Sequence, residues 1–220
     1  MKIVCIIPAR MDSKRFPGKP LALIKGKPMI QWVYDTAKEV FDRVVVATGD
    51  TEIMAALDGE YIGTPNWYKN GTERCAGAVR IMQNFNHEFP DVVINLQCDE
   101  PFITPEHLEK VAVSFINPEV EITTLRVLIE PTDDPDIVKV AVDKNGDALY
   151  FSRLSISEWK HIGVYGYRTE ILKDIATLPE VGIEREESLE QLRWLYHGYK
   201  VRTIRTHKYP KSINSKQDLQ

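Results

Sequence analysis

The sequence has few cysteines, and their spacing argues against metal and disulfide chemistry. Cys5, Cys75 and Cys98 are the three cysteines among 220 residues, and no two of them form a CxxC motif. Disulfide frameworks use even numbers of cysteines, and structural zinc sites use closely spaced ones. We therefore expect three reduced thiols in a reducing compartment.

Long hydrophobic runs are also lacking near the N-terminus. The apolar run there, Ile3 to Ile7, is far shorter than the roughly 20 residues that a membrane-spanning helix needs. It is too short for the hydrophobic region of a signal peptide as well. These lengths predict a soluble, cytoplasmic protein without a membrane partner.

The chain has no large excess of charge of either sign. Its net charge is −4 and its isoelectric point is about 5.8. A mildly acidic chain is not expected to bind nucleic acid or anionic membranes without specificity, so we predict no nucleic-acid partner. Hydrophobic residues make up 43% of the chain, which is ample for a sizeable core.

Against this background, one loop is strongly cationic. The stretch IIPARMDSKRFPGKPL, residues 6–21, carries Arg10, Lys14, Arg15 and Lys19 together with Gly18. Lysine and arginine neutralise phosphate oxygens, and glycine lets backbone N–H groups approach them closely, so we predict a solvated polyphosphate-binding loop. The sequence has neither GxxxxGK[ST] nor GxGxxG, which disfavours a P-loop ATPase and a Rossmann dehydrogenase. Taken alone, such a loop is more often merely a solvated surface loop.

Strand-like and helix-like segments alternate in the first half. Short apolar runs typical of strands buried in a parallel sheet lie at Ile3–Ile7, Val44–Ala47 and Val92–Leu96. Helical periodicity follows Pro28 and Thr72, and Thr104-Pro105 is typical of an N-cap followed by a first-turn proline. This order predicts an α/β fold with a doubly wound, mostly parallel sheet.

Strand-like segments follow each other closely after about residue 120. They lie at Ile122–Val127, Val138–Val142, Ala148–Phe151 and Ile162–Tyr167. Asn145-Gly146 is typical of a tight hairpin turn. We predict a single domain over residues 1–220 with a smaller antiparallel extension at about 120–170.

A last helix is predicted from about Glu186 to His197. Its apolar spacing places Leu189, Leu192 and Tyr196 inward, and Gly198 is a typical residue after a helix end. The residues between those inward positions are then free to face a ligand. A final strand is predicted from Val201 to Ile204.

Two loops are expected at the ligand-binding edge of the sheet, beyond the carboxyl ends of the strands. One is the cationic loop, and the other is Gln97–Pro101 after the strand at 92–96. Asp99 offers a hard oxygen ligand to Mg²⁺, which binds through one or two carboxylates plus substrate phosphates. A helix cap or salt bridge is the alternative role for this carboxylate. Because the two loops occur together, we predict a metal–nucleotide site.

Several segments resemble one enzyme family, in the same order from Ile6 to about Leu219. IIPAR followed by SKRFPGKPL is similar to the first motif of sugar nucleotidyltransferases of the cytidylyltransferase kind. NGTER, NLQCDEP, LYFSR, HIGVYGYR and LEQLR resemble segments of the 3-deoxy-manno-octulosonate cytidylyltransferase (CMP-Kdo synthetase) family. HIGVYGYR and LEQLR distinguish this family from the acylneuraminate cytidylyltransferases.

The resemblance implies a fold, a reaction and partners. The fold is the Rossmann-like nucleotidyltransferase fold, with its antiparallel extension used for sugar binding and dimerisation. The reaction joins CTP and 3-deoxy-manno-octulosonate (Kdo) to give CMP-Kdo and pyrophosphate, with Mg²⁺ as the cofactor. The expected partners are therefore CTP, a Kdo-like sugar acid and a second copy of the chain. The product belongs to lipopolysaccharide biosynthesis.

Roles in nucleotide binding are implied for residues that match the family motifs. Arg10, Lys19 and Asp99 are expected to be catalytic, with Arg10 and Lys19 on the β- and γ-phosphates. The expected nucleotide-binding residues are Ala9, Arg10, Ser13, Arg15, Lys19, Asn70, Gly71, Arg74 and Gln97. The Gln97 amide can both donate and accept, which suits the edge of cytosine. The alternative role for Arg15 is that of a structural loop anchor. The alternative for Gln97 is a buried amide whose hydrogen bonds are satisfied within the protein.

The resemblance also implies a sugar pocket and a metal site. Its expected sugar-binding residues are Arg153, His161, Tyr165, Glu190 and Gln191. Arg153 or His161 would bind the sugar carboxylate, and Glu190 and Gln191 the hydroxyl groups. The expected metal ligands are Asp99 and Asn214. The other histidines are interpreted as surface or packing residues, namely His87, His107, His197 and His207.

The chain departs from the family pattern at four places. Cys98 stands where the family has glycine, Asn70 where serine is usual, and the loop before His161 is short. Asn214 stands where a second metal-binding aspartate is expected, so weaker Mg²⁺ binding follows. Two other functions stay open, a cytidylyltransferase for another sugar acid (amino-Kdo or a nonulosonic acid) and a CTP-binding relative with little turnover.

Overall fold

The computed structural model describes residues 1–13, 15–85, 89–213 and 215–219. Its strands are β1 (Ile3–Pro8), β2 (Leu23–Ile24), β3 (Lys27–Pro28), β4 (Val44–Thr48), β5 (Tyr61–Gly63), β6 (Val92–Leu96), β7 (Ile122–Leu128), β8 (Lys139–Val142), β9 (Ala148–Ser152), β10 (Trp159–Arg168) and β11 (Val201–Thr206). Its α-helices are α1 (Met29–Lys38), α2 (Thr51–Ala56), α3 (Gly71–Asn84), α4 (Pro105–Ser114), α5 (Thr169–Ile175), α6 (Gly182–Glu187) and α7 (Gln191–Tyr196). Short 3₁₀ helices lie at Lys19–Leu21 and Lys216–Leu219.

One mixed sheet organises these elements. Neighbouring strands follow the order β11, β7, β10, β6, β1, β4 and β5. Strands β6, β1, β4 and β5 pair in parallel, and β11 is parallel to β7. Strand β10 runs antiparallel to both of its neighbours, β6 and β7. The predicted mostly parallel sheet is therefore confirmed.

Helices cover both faces of this sheet. Along β1, Cys5 and Ile7 enter the core beneath α1 and α4, whereas Val4 and Ile6 enter the core beneath α3, α5 and α7. A strand buried on both faces has no polar alternation, which explains why β1, β4 and β6 appear in the sequence as continuous apolar runs. The predicted doubly wound arrangement follows from these two cores.

The antiparallel part of the chain follows residue 120, as predicted. The strand-like segments there all form strands, and β7 and β10 pair antiparallel inside the main sheet. The hairpin of β8 and β9 belongs to the same sheet and is joined to β10 through the pair Lys160 and Lys139. The predicted hairpin turn at Asn145-Gly146 is confirmed, and Gly146 has a φ of 85° there.

The single helix predicted at 186–197 is wrong. The structure has α6 and α7, with Ser188 between them at a φ of 53°, in the left-handed region. This residue turns the chain, so that α7 is not the continuation of α6. As a result Tyr196, expected to face inward, is 66% exposed, and Trp194 is buried instead.

The predicted start of α4 is confirmed. Thr104 is its N-cap and Pro105 its first residue, and His107 completes a capping box with Thr104. His107 is buried and its Nε2 lies 3.0 Å from the carbonyl oxygen of Lys208, so it is a packing residue. Within the described ranges, none of the helices combines the length and apolar character needed to cross a membrane.

Gly166 allows α4 to pack closely on β10. A Cβ atom added at Gly166 would lie 2.5 Å from Cε2 of Phe115 and 2.9 Å from Cγ1 of Val111. Both neighbours are buried. The next residues on either side, Tyr165 and Tyr167, belong to the core on the opposite face. This close packing therefore fixes β10 where it carries residues expected at the sugar site.

We predict that Gly166→Ala lowers the free energy of unfolding by about 1–3 kcal/mol, because the added methyl group overpacks a filled core. Urea denaturation measures the change. Gly182→Ala is the matched control, since a Cβ atom there meets nothing within 4 Å. It should leave stability unchanged or raise it by about 0.4–1 kcal/mol. Equal stabilities of the two variants would contradict this account of β10.

Candidate active site

A cavity of about 320 Å³ opens at the carboxyl ends of β1 and β6. Its walls are the loop after β1, the start of α3 and the loop after β6. The lining residues are Pro8, Ala9, Arg10, Ser13, Arg15, Lys19, Pro20, Tyr68, Asn70, Gly71, Arg74, Gln97, Cys98 and Asp99. Every residue expected to bind nucleotide is among them. The structure thus brings these residues together, and their role in CTP binding stays a prediction.

The sheet explains this convergence. Strands β1 and β6 pair in parallel, with Ile6 beside Asn95, so both chains leave the sheet at the same edge. Helix α3 starts at that edge because the Asn70 side chain caps it by accepting a hydrogen bond from the Glu73 amide at 2.8 Å. A helix N-terminus adds partial positive charge to the cavity.

Lys19 is buried, contrary to the prediction of a solvated loop. It is 7% exposed, and its Nζ donates to Oδ2 of Asp99 at 2.7 Å and to the Ile213 carbonyl at 3.2 Å. Gly18, with a φ of 73°, precedes the 3₁₀ helix that begins at Lys19 and turns it inward. Arg10 is exposed at the cavity, as predicted. Lys14 lies outside the described residues.

Arg15 has a structural contact in addition to its place at the cavity. Its guanidinium pairs with Asp136 at 2.9 Å, and both side chains are more than half exposed. This pair joins the cationic loop to the segment after β7. The contact favours the loop-anchor alternative for Arg15, although the pair contributes little to stability because water screens it.

The C-terminal segment returns to Asp99. The Ile213 amide donates to the Asp99 carbonyl at 3.0 Å, and the Ile213 side chain is buried. Asn214, the expected second metal ligand, lies outside the described residues. The role of Asn214 as a metal ligand stays a prediction.

Asp99 suits Mg²⁺ as a single protein ligand. It is a carboxylate at the cavity wall, 29% exposed at its side chain, beside groups that suit phosphates. The described part of the chain holds no group of three or more His, Cys, Asp or Glu placed to bind a metal. Glu100 does not line the cavity, and its Oε1 accepts from Ser212 at 2.7 Å. The residues present therefore fit an ion held mainly by Asp99 and nucleotide phosphates.

Arg74 and Gln97 form the opposite wall. Arg74 is 2% exposed and donates through Nη1 to Thr64 Oγ1 at 2.8 Å, while its buried Nη2 has no hydrogen-bond partner among the described residues. A buried donor without a partner is costly unless a ligand or water satisfies it. Gly71 has no room for a Cβ atom, which would lie 2.8 Å from Nε2 of Gln97. This wall is suited to a polar planar ligand such as a nucleobase.

Asp50 lies next to the cavity wall, and it was not among the residues expected at the site. Its carboxylate accepts from the Met11 amide at 2.8 Å and from the Asn66 side chain at 3.1 Å. Its charge also favours the protonated form of Arg74, whose pKa burial lowers. A signal was present, because Asp50 follows the apolar run of β4 and therefore lies at the carboxyl end of a parallel strand.

Cys98 and Tyr68 are further wall residues that the sequence did not assign to the site. Burial raises the pKa of the Cys98 thiol to about 12, so the thiol is neutral. Together with Cys5 and Cys75 it is a free cysteine, as predicted. The Tyr68 ring packs on α3 at Gly77, where no Cβ atom would fit. Both residues give the cavity apolar surface next to its charged groups.

Three of the expected sugar-binding residues lie in one buried cluster. The ring centroid of Tyr165 is 5.2 Å from that of His161 and 5.3 Å from that of Trp194. The charge of Glu190 acts on Tyr165, and its Oε2 accepts from Thr72 Oγ1 at 3.1 Å. Gln191 follows Glu190 and is buried. Glu190 Oε1 has no hydrogen-bond partner among the described residues, so the expectation that Glu190 and Gln191 can face a ligand stays a prediction.

The two candidates for the sugar carboxylate differ in charge. Burial lowers the pKa of His161 to about 3, and its Nε2 lies 3.0 Å from Thr124 Oγ1. His161 is thus neutral near pH 7 and cannot serve as the cation. The Arg153 guanidinium instead donates to the carbonyls of Pro135 at 2.8 Å and Glu187 at 3.3 Å. Arg153 is the charged candidate, held between the segment after β7 and the end of α6.

Comparison with known proteins gives consistent matches. A family model described as Cytidylyltransferase matches residues 4–204. The chain is 41% identical to 3-deoxy-manno-octulosonate cytidylyltransferase of Parabacteroides distasonis, over 100% of this chain and 96% of the relative. It is 42% identical to the protein of that name from Thermodesulfovibrio yellowstonii, with the same coverage. The first of these alignments has 245 positions against 220 residues, which leaves 25 without a counterpart here.

Solved structures give the same result. A structure of CMP:2-keto-3-deoxy-manno-octonic acid synthetase complexed with CTP has a TM-score of 0.91 at 38% identity, over 100% of this chain and 95% of that one. The 4-diphosphocytidyl-2C-methyl-D-erythritol synthase of Anaerococcus prevotii has a TM-score of 0.64 at 10% identity, over 99% and 94%. At that identity the second likeness shows the fold alone.

Glu190 makes the stability of the protein depend on pH. Burial raises its pKa from 4.5 to about 8, so the folded state holds a proton that the unfolded state loses. This contribution to stability therefore falls as pH rises from about 4.5 to 8. We predict that Glu190→Gln melts at a higher temperature than the wild type, by a margin that grows between pH 5 and pH 9.

Thermal unfolding at both pH values measures this margin. Glu186→Gln is the control, because Glu186 is exposed. Its melting temperature should differ from that of the wild type by the same small amount at each pH. Glu100, whose pKa burial raises to about 7, is present in all three proteins and cancels in the comparison. A margin for Glu190→Gln that does not change with pH would contradict the burial of its charge.

Proposed function

The chain belongs to the cytidylyltransferase family, and from this premise we propose that it transfers the cytidylyl group of CTP to a Kdo-like sugar acid. The observation that carries this proposal is the single cavity that contains every residue matched to the family's nucleotide site. The relatives at about 40% identity over their whole length carry the name of this activity. The cluster of His161, Tyr165 and Glu190 would supply polar groups for the sugar hydroxyls, and Arg153 would supply the cation for the sugar carboxylate.

The proposed reaction is an in-line displacement at phosphorus. The anomeric hydroxyl oxygen of the sugar bonds to the α-phosphorus of CTP as the bond from that phosphorus to the β-phosphate oxygen breaks. Pyrophosphate leaves and the hydroxyl proton goes to solvent. Such a reaction needs positioning and charge neutralisation more than covalent participation by the protein.

The cationic loop would supply the charge neutralisation. Arg10 is exposed at the cavity mouth and can follow the β- and γ-phosphates. Lys19 is already paired with Asp99, so the phosphates would share its ammonium group with that carboxylate. Arg74 offers a buried donor that has no partner in the described part of the chain, which suits an acceptor on cytosine.

Mg²⁺ is proposed as the cofactor. Asp99 would hold it, together with phosphate oxygens and the residue at position 214. When bound, the ion would offset negative charge on the phosphates as the pyrophosphate departs. Asparagine at position 214 adds no negative charge, so Asp99 is the one carboxylate that these two positions offer. The affinity of the proposed site for Mg²⁺ should therefore be low.

A homodimer in a reducing compartment is also proposed. Exposed apolar side chains gather on β9 and the connection to β10, where Leu149 is 62% and Leu154 is 70% exposed. Apolar patches of this kind are typical of protein interfaces. The three free thiols favour a reducing compartment, for which we propose the cytoplasm.

We predict that the protein releases pyrophosphate from CTP and Kdo, and prefers CTP over UTP, ATP and GTP by about a hundredfold or more in kcat/KM. A wrong base leaves buried polar groups of Arg74 and Gln97 unpaired. The assay is pyrophosphate release across four nucleotides and three sugar acids, namely Kdo, amino-Kdo and a nonulosonic acid. Equal turnover of UTP and CTP would contradict the base assignment. CTP binding without turnover of any sugar would contradict the proposed reaction.

We predict that Asn214→Asp lowers the Mg²⁺ concentration that gives half-maximal rate, since a second carboxylate strengthens the site. Asp99→Asn should abolish turnover. Metal affinity is measured separately from activity, by the loss of the free Mn²⁺ signal in electron paramagnetic resonance. Asp218→Asn is the matched variant, because Asp218 is the nearby carboxylate that could replace position 214. No change in Asn214→Asp, with weakened binding in Asp218→Asn, would assign the second ligand to Asp218.

A further inference from the structure

One hydrogen bond joins the nucleotide cavity to the sugar cluster. Thr72 Oγ1 donates to Glu190 Oε2 at 3.1 Å, between residues 118 positions apart in the sequence. Thr72 is buried and lies in the first turn of α3. Its hydroxyl does not line the cavity, so it is not one of the predicted binding groups.

The position of Thr72 depends on the nucleotide wall. Asn70 and Gly71, immediately before it, both line the cavity, and Asn70 caps the helix through the Glu73 amide. Gly71 lies against Gln97 with no room for a Cβ atom. A nucleotide held at this wall would therefore contact the residues next to Thr72 and fix the backbone that carries its hydroxyl.

Glu190, which accepts the hydrogen bond from Thr72, has a second carboxyl oxygen, Oε1. Glu190 Oε1 is shielded from solvent and has no hydrogen-bond partner among the described residues. The Thr72 bond holds the other oxygen and so determines the orientation of the carboxyl group. A buried carboxyl oxygen without a partner is satisfied at low cost by a ligand hydroxyl, which can both donate and accept. The direction of Oε1 toward a sugar hydroxyl is thus controlled from α3.

We propose that Thr72 is a positioning residue that couples the two substrates, aligning Glu190 for the sugar acid when the nucleotide wall at the start of α3 is ordered. This inference rests on the proposed function, because it assumes that Glu190 contacts the sugar. Coupling between two sites is reciprocal, so CTP and the sugar acid must strengthen each other's binding by the same factor. Without the Thr72 hydroxyl, the two substrates should no longer strengthen each other's binding, although each binding site is still present.

The test compares Thr72→Val with Thr72→Ser. Valine keeps the shape of threonine and removes the hydroxyl, whereas serine keeps the hydroxyl. Calorimetry gives the affinity for CTP with and without a sugar acid analogue that lacks the anomeric hydroxyl and so cannot react. Steady-state kinetics give KM for each substrate, and thermal unfolding checks that each variant is folded.

Thr72→Val is expected to weaken the binding of the sugar acid but not the binding of CTP alone. Thr72→Val should raise KM for the sugar acid about fivefold, the typical value of a neutral hydrogen bond, and abolish the mutual strengthening. Its affinity for CTP alone should stay within about twofold of the wild type. Thr72→Ser should behave as the wild type in both measurements.

Three results would overturn the inference. A Thr72→Val variant with the same KM values and the same mutual strengthening as a fully active wild type would leave the proposed function intact and remove the coupling role. Loss of affinity for CTP alone by the same factor as for the sugar would show that Thr72 only supports the helix. A wild type that binds CTP but turns over no sugar acid would overturn the proposed function and this inference with it.

Discussion

The ion pair between Lys19 and Asp99 is the contact on which the two halves of the cavity depend. It joins the loop after β1 to the loop after β6, and the Ile213 carbonyl completes the bonding of the buried ammonium group. Parallel pairing of β1 and β6 brings the loops to the same edge, and this pair, together with the bonds of Ile213, holds them together there. Removing one partner would leave a buried charge uncompensated, which costs several times more than an exposed pair contributes.

The strands and loops of the nucleotide half could be predicted from the sequence because they depend on local signals. Strands β1, β4 and β6 are buried on both faces, so their apolar runs stand out. Ligand loops then follow from where those strands end. Helix α2 has a single buried residue, Ile53, and six residues are too few to show helical periodicity. Helix α5 is similarly short, and neither helix was predicted.

The contacts that decide the chemistry could not be predicted, because they join distant parts of the chain. Lys19 appeared as one of several cations in a glycine- and proline-rich loop, and its burial depends on Asp99, 80 positions away. The charge states of His161 and Glu190 depend on desolvation in a core formed by β10, α3 and α7. The break between α6 and α7 needs a left-handed backbone at Ser188, and a serine in a sequence does not indicate that conformation.

The bonds of Ile213 have a consequence for how the protein is made. A chain emerging from the ribosome folds from its N-terminus, and β1, β4 and β6 can pair long before synthesis reaches the last strand. The pair of Lys19 and Asp99, however, is completed by Ile213, which bonds to both residues. A nascent chain therefore carries an assembled sheet before these bonds at the phosphate site can form. Proteolytic removal of the segment that contains Ile213 would return the finished protein to that earlier, incomplete form.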